Sequence, residues 1–304
     1  MSGKLVISID FELRWGVHDV YGLNFDAYRK NLENARAAVN KTLEMFENRN
    51  IRSTWATVGA IGLDNWNDYF NIVHSQPKYK NQKFNIIEEY SKIDPNGDLH
   101  FAPNLVQKII ETQGQELGSH TFSHIYCRED GFDITDFLYD TNCYAKVFKE
   151  KFNILPRSIV FPRNQTNFIE LLKDLNFEIY REKKAYIFNN KIAERAENVF
   201  EVISPFPYSS VKFDISKTIG NLFIRFDLPS LLWKIQMNKL KYTIQNMSNN
   251  DVFHIWWHPH NVGPNLKFGL ARFEEMFDLI AEEINANRVT SLNMLDLVSS
   301  DSTQ

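Results

Sequence analysis

Short apolar runs rich in β-branched residues alternate along the chain with segments whose apolar residues recur at helical spacing. The apolar runs predict buried strands, and they are KLVISID, RSTWATVGAIG, QELGSHTFSH with its loop, RSIVFPRN, NFEIYR, DVFHIWWHPH and RVTSL. The segments between them predict helices over about residues 25–48, 103–113, 136–152, 166–175, 229–247 and 270–286. Buried strands that alternate with helices are typical of right-handed βαβ units and a parallel sheet. The pattern therefore predicts an α/β fold, either barrel-like or doubly wound.

One stretch, around residues 64–100, interrupts this regularity. Its mixed polarity and weak periodicity predict an insertion between two units of the sheet. The chain shows no internal repeat, low-complexity tract or convincing linker. With 304 residues, 43% of them apolar, it can bury a substantial core, as α/β barrels of this length do in one unit. We therefore expect a single domain over residues 1–304.

Charge and the character of the N-terminus exclude several classes of protein. The formal net charge is −4 and the basic residues are scattered, which argues against a general affinity for nucleic acid. The N-terminus enters a predicted strand at once, without a secretory signal, and no apolar run is long enough to span a bilayer. We expect a cytoplasmic protein. Two cysteines, Cys127 and Cys143, predict free buried thiols rather than a disulfide framework.

Polar clusters follow three of the predicted strands, at the ends where barrel folds place their active sites. Asp10 and Glu12, two residues apart on an extended segment, are expected to point to the same side of the backbone. His120 and His124 lie at i and i+4, a spacing that on a helix lets both rings bind one metal ion. His258 closes a later strand, within WWHPH. A helix cap, a solvated loop or core histidines would explain any one cluster alone.

Other residues near these strand ends have two interpretations. Arg163 ends the strand RSIVFPRN, where it is either a surface arginine or a guanidinium that orients a catalytic carboxylate. Trp15, Trp256 and Trp257 belong either to the core or to a site mouth, where flat aromatic rings stack on sugars. His254, inside its strand, is expected to be a core histidine with a hydrogen-bond partner.

Taken in order, SIDFE, HTFSH, FPRN and WHP resemble the motifs of the polysaccharide deacetylase family, carbohydrate esterases with the NodB-homology fold. These segments extend from Ser8 to Pro259, over most of the chain. The family's commonest form has two adjacent aspartates after the first strand, whereas Phe11 separates Asp10 from Glu12 here. The resemblance implies a distorted (β/α) barrel of about seven parallel strands.

The resemblance also implies a role for each matching residue. Asp10 would be the catalytic base, Arg163 would orient it, and His258 would be the general acid, with His260 as its nearby competitor. The implied ligands of a divalent metal, with zinc favoured, are Glu12, His120 and His124. The residues expected to bind substrate are Trp15, Trp257 and His260.

The implied reaction is removal of an N-acetyl group from a sugar. The expected cytoplasmic location favours a precursor in surface-polysaccharide synthesis as substrate. Two alternatives stay open. One is an amidase that acts on a cyclic imide or ureide with the same metal, base and acid. The other is a catalytically silent carbohydrate-binding protein, because a fold does not guarantee a function.

Overall fold

The computed structural model describes residues 2–24, 26–184, 204, 207–212, 214 and 216–301. Within these ranges a single sheet of ten strands forms the centre of the protein. Its strands are β1 (Gly3–Phe11), β2 (Ser53–Thr57), β3 (Gln115–Ser119), β4 (Ser158–Val160), β5 (Ile179–Lys183), β6 (Val211–Lys212), β7 (Lys217–Gly220), β8 (Leu222–Phe223), β9 (Asp251–Trp257) and β10 (Val289–Leu292). Every strand pair is parallel except the short β6–β9 pair.

The sheet curves into a nearly closed barrel, and β1 is one of the strands of its wall. This strand pairs with β9 along one edge, while β10 and β2 pair with successive halves of its other edge. From β2 the order continues through β3, β4 and β5 to β7. The chain passes from β7 almost directly into β8, which pairs with β9, so the sheet returns towards its starting point. The predicted α/β barrel of mainly parallel strands is therefore confirmed.

Helices surround this sheet. In the described ranges they are α1 (His18–Tyr21), α2 (Arg29–Glu47), α3 (Trp66–Ile72), α4 (Ile87–Ile93), α5 (Pro103–Glu111), α6 (Ile134–Phe152), α7 (Ser230–Gln245), α8 (Leu266–Asn285) and α9 (Met294–Asp301). The apolar residues at helical spacing on α2 are all buried, and they are Leu32, Ala35, Val39, Leu43 and Phe46. That helix begins at Arg29, and its predicted start at Phe25 lies outside the described residues. None of these helices combines the length and the apolar character needed to cross a membrane.

Two predicted elements differ in the structure. The helix predicted over residues 166–175 is wrong: only a single 3₁₀ turn, Ile169–Leu171, forms there. Phe168 adopts a left-handed conformation with φ 54°, and the Asn167 side chain accepts its backbone N–H. Such local side-chain bonds compete with helix formation. The strand predicted through RSIVFPRN ends at Val160, since Pro162 has no N–H to donate to a neighbouring strand.

Candidate metal-binding active site

The carboxyl ends of parallel strands bring the predicted acidic and histidine residues to one end of the barrel. Asp10 is the penultimate residue of β1 and Glu12 follows that strand, while His120 follows β3 and His258 follows β9. Phe11 between the two acids faces the opposite side, where its ring packs edge-on against Trp55. The alternation of a β-strand thus places both carboxylates on the same side, as predicted.

The two histidines of HTFSH converge without a helix. Residues 120–124 form an irregular loop in which Thr121 and His124 are left-handed, with φ of 61° and 54°. The expectation of a shared helical face is therefore wrong, but the imidazole centroids of His120 and His124 lie only 5.3 Å apart. The loop achieves by backbone conformation what helical spacing was expected to provide.

Asp140, on α6, holds this loop from behind. Its two carboxylate oxygens accept the backbone N–H groups of Phe122 at 2.6 Å and Ser123 at 2.9 Å. On the other side, the carbonyl oxygens of Thr121 and Phe122 accept backbone N–H groups of residues 59 and 60, at 2.9 Å each. Burial raises the pKa of Asp140 to about 7. The loop conformation therefore depends on a buried acid that belongs to no motif recognisable in the sequence.

Glu12 lies between the two imidazoles. One of its carboxylate oxygens, Oε2, is 3.3 Å from Nε2 of His120 and 3.1 Å from Nε2 of His124. Ligands of a tetrahedral zinc ion, bound at about 2.0–2.2 Å, lie about 3.3 Å from one another. The three donors are therefore spaced as ligands around one small cation, and they form one of two His/Glu groups able to hold a metal ion among the described residues.

The hydrogen bonding of His120 also fits a metal ligand. Its Nδ1 lies 2.8 Å from the carbonyl oxygen of Val160, an acceptor, so Nδ1 carries the proton. In the neutral ring, Nε2 then carries a lone pair that points at the Glu12 carboxylate. This buried nitrogen has no hydrogen-bond partner in the part of the chain described. Two acceptors that face each other require a cation or a proton between them. A histidine whose other nitrogen donates to a carbonyl is the usual form of a metal ligand.

Gly16 makes room for the Glu12 carboxylate. A Cβ added at this position, in the 3₁₀ turn Leu13–Val17, would overlap all three carboxyl atoms of Glu12. Burial by itself would raise the pKa of Glu12, but the surrounding histidines His258, His120 and His124 hold it well below its ordinary value. An ionised Glu12 is the form that binds a cation.

Arg181 forms a two-pronged ion pair with Asp10, and this contact was not predicted. Its Nη1 and Nη2 lie 2.7 Å from Oδ1 and Oδ2 of Asp10, and both side chains are almost completely buried. Strand β5 does not pair with β1, so the contact crosses the inside of the barrel. Burial favours a raised pKa for Asp10, but the charge and hydrogen bonds of Arg181, together with His120 and His258, more than offset it, and the net pKa is lowered.

A series of hydrogen bonds that leads away from Asp10 also holds the Arg181 guanidinium. Nη1 also donates to the hydroxyl oxygen of Ser8 at 2.8 Å, and that hydroxyl lies 2.8 Å from Nε2 of His254. The other ring nitrogen of His254 lies 3.0 Å from the Thr218 hydroxyl. His254 is fully buried, as predicted for a core histidine with hydrogen-bond partners. These residues fix the guanidinium that holds Asp10.

Arg163 does not reach Asp10. It lies in the 3₁₀ turn Pro162–Asn164 with φ 54°, and its Nη1 is 3.3 Å from Asp19 and 3.5 Å from Glu129. The position that was expected for Arg163 is occupied by Arg181. Both arginines stand at or near the end of a predicted strand, since NFEIYR ends at Arg181, so the sequence held the same signal for each.

Trp15 and Trp257 are both in the core, which corrects their expected place at a substrate site. Trp15 is fully buried against α3 and donates its indole N–H to the carbonyl oxygen of His100 at 2.9 Å. Trp257 is equally buried and packs against Phe46 and helix α8. The half-buried Trp256 is on the opposite face of β9, with its ring 4.2 Å from the Arg181 guanidinium. It is the aromatic residue of this strand that borders the site.

His258 completes the cluster. Its Nε2 is 3.3 Å from Oε1 of Glu12 and 3.9 Å from Oδ2 of Asp10, and its side chain is 19% exposed. The His258 and His260 rings are stacked nearly parallel, with centroids 4.7 Å apart. Burial, followed by the neighbouring His258, lowers the pKa of His260 to about 3. His258 is therefore closer to the acids, and His260 lies beside it.

Comparisons with known proteins find likeness in structure but not in sequence. No family model matches the chain, and no curated protein matches it either. Twenty-nine solved chains match in structure. A protein from Mycobacterium smegmatis that is provisionally assigned to the polysaccharide deacetylases has a TM-score of 0.56 and 13% identity, over 99% of this chain and 91% of its own.

Two further structures show how widely this fold is used. A 4-α-glucanotransferase from Thermococcus litoralis has a TM-score of 0.56 and 10% identity, over 98% of this chain and 40% of its own. A mutant of a Bacillus anthracis pseudoenzyme of carbohydrate esterase family 4, with restored activity, has a TM-score of 0.50 and 9% identity, over 98% of this chain and 68% of its own. At these identities the likeness concerns the fold. The chain has the (β/α) barrel fold found in polysaccharide deacetylases.

Proposed function

We propose that this chain is a metal-dependent hydrolase that removes the N-acetyl group from a sugar. The observation that carries the proposal is the convergence of a three-donor cation site with a second acid and a histidine. Glu12, His120 and His124 supply the donors, while Asp10 and His258 lie beside them. Zinc is the favoured ion, because two imidazoles and one carboxylate, with a position left open, is a donor set typical of catalytic zinc.

The metal ion, when bound, polarises the amide carbonyl and lowers the pKa of water, which makes attack on the amide possible near neutral pH. Asp10 is the residue placed to accept a proton from that water. The Arg181 ion pair keeps Asp10 ionised although it is buried, and the bidentate contact fixes its orientation. Each Asp10 oxygen retains a further lone pair with which to accept the proton.

His258 is the residue placed to protonate the departing amine. Its backbone N–H donates to Oδ1 of Asn261 at 2.8 Å, which identifies that oxygen as an acceptor. The Nδ1 atom of His258, 3.2 Å from the same oxygen, is therefore the protonated nitrogen. Nε2 faces the two carboxylates, 3.3 Å from Oε1 of Glu12 and 3.9 Å from Oδ2 of Asp10. His258 thus presents its transferable proton to the same space as Asp10.

The arrangement of the acids argues against glycoside transfer, the reaction named for one of the compared structures. Glycosidases commonly use two carboxylates, one of them protonated, on either side of a sugar bond. Here Arg181 engages Asp10, and three imidazoles surround Glu12. Both contacts favour the ionised acids. A cation site with a base is the chemistry that these contacts support.

The proposal is tested by measuring the acetate that zinc-loaded protein releases from N-acetylated sugars. The substrates would be chitooligosaccharides and nucleotide-linked N-acetylamino sugars, and the second group tests the proposed role in making a surface-polysaccharide precursor. A cyclic ureide is assayed in parallel. Acetate release by wild type, reduced at least ~10²-fold in Asp10→Asn, supports the proposal. Hydrolysis of the ureide alone would favour the cyclic amidase, and metal binding with no turnover would favour the silent carbohydrate-binding protein.

A further inference from the structure

The two oxygens of the Glu12 carboxylate face different histidines. Oε2 faces His120 and His124, as described above. Oε1 faces His258 instead, with 3.3 Å between Oε1 and Nε2. A carboxylate that offers each oxygen to a separate group of imidazoles is arranged as a bridge between two neighbouring positions.

The contact between His258 and Glu12 has the same character as the one between His120 and Glu12. Because Nδ1 of His258 donates to Asn261, Nε2 of His258 carries an unshared lone pair when the ring is neutral. That lone pair faces the Oε1 lone pairs at 3.3 Å. As in the first site, only a proton or a metal cation can make such a contact favourable. A proton on Nε2 is the one that the proposed general acid transfers, and a metal cation would compete with it for the space between Nε2 and Oε1.

His260 supplies a third donor at this second position. It lies two residues on, in the 3₁₀ turn Pro259–Val262, and its ring stacks on that of His258. The Tyr28 and His260 rings meet edge to face, with 5.4 Å between their centroids. Ligand atoms of Glu12, His258 and His260 all lie within 4.8 Å of one another. A general acid needs only His258, whereas the additional buried imidazole of His260 completes a set that a metal can use.

We propose that Glu12, His258 and His260 form a second cation position, which binds zinc more weakly than the first and inhibits the enzyme when it is filled. The second ion would be weaker because it shares a carboxylate with a dication only about 3.5–4 Å away, the usual separation in two-metal sites. Inhibition follows because Nε2 of His258 cannot bind a metal and carry a proton at the same time. This consequence rests on the proposed function, but the binding itself does not.

The binding is tested by titrating metal-free, full-length protein with Zn²⁺ alone and following the heat of binding. Wild type should bind two equivalents in separable steps, tight and then weak. His260→Ala should lose only the weak step, and retention of the tight equivalent at wild-type affinity shows that this variant is folded. The exposed His74 provides a matched control, since His74→Ala should keep both steps. His260→Gln tests the same point with less loss of volume.

The outcomes separate this proposal from the function. A single equivalent in wild type at every Zn²⁺ concentration overturns the second position, and so does a weak step that survives in both His260 variants. In acetate-release assays, wild type should lose activity as the weak step fills. The acetate-release activity of the His260 variants, each expressed relative to its own maximum, should not fall at the same excess of Zn²⁺. If no protein releases acetate while the two-step binding holds, the proposed function fails and the cation position stands.

Discussion

Arg181 binds both carboxylate oxygens of Asp10, at 2.7 Å each, across the inside of the barrel. The pair is buried, so either partner left alone would be an uncompensated charge in a medium of low polarity. The Ser8 hydroxyl and the Trp256 ring also hold the guanidinium in place. The ion pair is therefore a fixed part of the site rather than a surface contact.

Removing Arg181 should destabilise the fold. Arg181→Met leaves Asp10 buried without its partner, and we expect the free energy of unfolding to fall by about 3–5 kcal/mol. Urea denaturation measures the change. Arg163→Met is the matched control, because Arg163 is 22% exposed and its ion pairs should contribute at most about 1 kcal/mol. Equal losses in the two variants would contradict the importance of the buried pair.

The same two variants should differ in their dependence on pH. Burial raises the pKa of Asp10 and Arg181 opposes it most strongly, so removal of Arg181 leaves only the weaker effects of His120 and His258 against burial, and the pKa should rise. A base must be ionised to accept a proton, hence the acid limb of the kcat/KM profile should move to higher pH in Arg181→Met. It should stay in place in Arg163→Met. A shift in the Arg163 variant instead would mean that Arg163 orients the base after all.

Gly16→Ala should empty the first metal position without unfolding the protein. The added methyl group overlaps the Glu12 carboxylate in its present position, so we expect the carboxylate to move away from His120 and His124. Metal content, measured after equilibration with one equivalent of zinc, should fall to near zero while the circular dichroism spectrum stays unchanged. Full zinc content in this variant would show that Glu12 is not a ligand.

His258→Ala should separate metal binding from turnover. The tight zinc equivalent should remain, because its three donors are elsewhere, whereas turnover should fall by about 10²–10⁴-fold with the loss of a general acid. Zinc content and acetate release on the same samples measure both. Turnover near that of wild type would assign proton donation to another residue.

Asp140 should make stability depend on pH. Its pKa is about 3.8 when unfolded and about 7 when folded, so between these values the folded state retains a proton that the unfolded state has lost. The contribution of Asp140 to stability is therefore greatest at low pH and is lost as pH rises from about 4 to 7, by about 4 kcal/mol in total. The measurement is the free energy of unfolding at pH 5 and pH 8, with Asp140→Asn as reference. Equal pH dependence in both proteins would contradict the assignment.

Strand ends explain how much of the site the sequence predicted. Asp10, Glu12, His120 and His258 each follow or close a buried strand, and parallel strands necessarily bring such residues to one end of the barrel. The roles assigned to them remain predictions. The local geometry was less accessible, because the left-handed residues that turn His120 and His124 together leave no periodic pattern.

The errors concern side chains whose direction depends on the whole barrel. Arg163 and Arg181 looked alike in sequence, and only the curvature of the sheet places Arg181 opposite Asp10. Trp15 and Trp257 lie next to motif residues but point into the core. Aromatic residues beside a catalytic motif pack and bind ligands equally well, so sequence proximity does not distinguish these roles.

The most direct test of the proposed metal site is an anomalous-diffraction map at the zinc absorption edge from crystals of protein loaded with one equivalent of zinc. We expect a single strong peak bonded to Oε2 of Glu12 and to an imidazole nitrogen of each of His120 and His124. A zinc-loaded crystal with no peak among these three side chains, or with the two imidazoles turned away from Glu12, would contradict it.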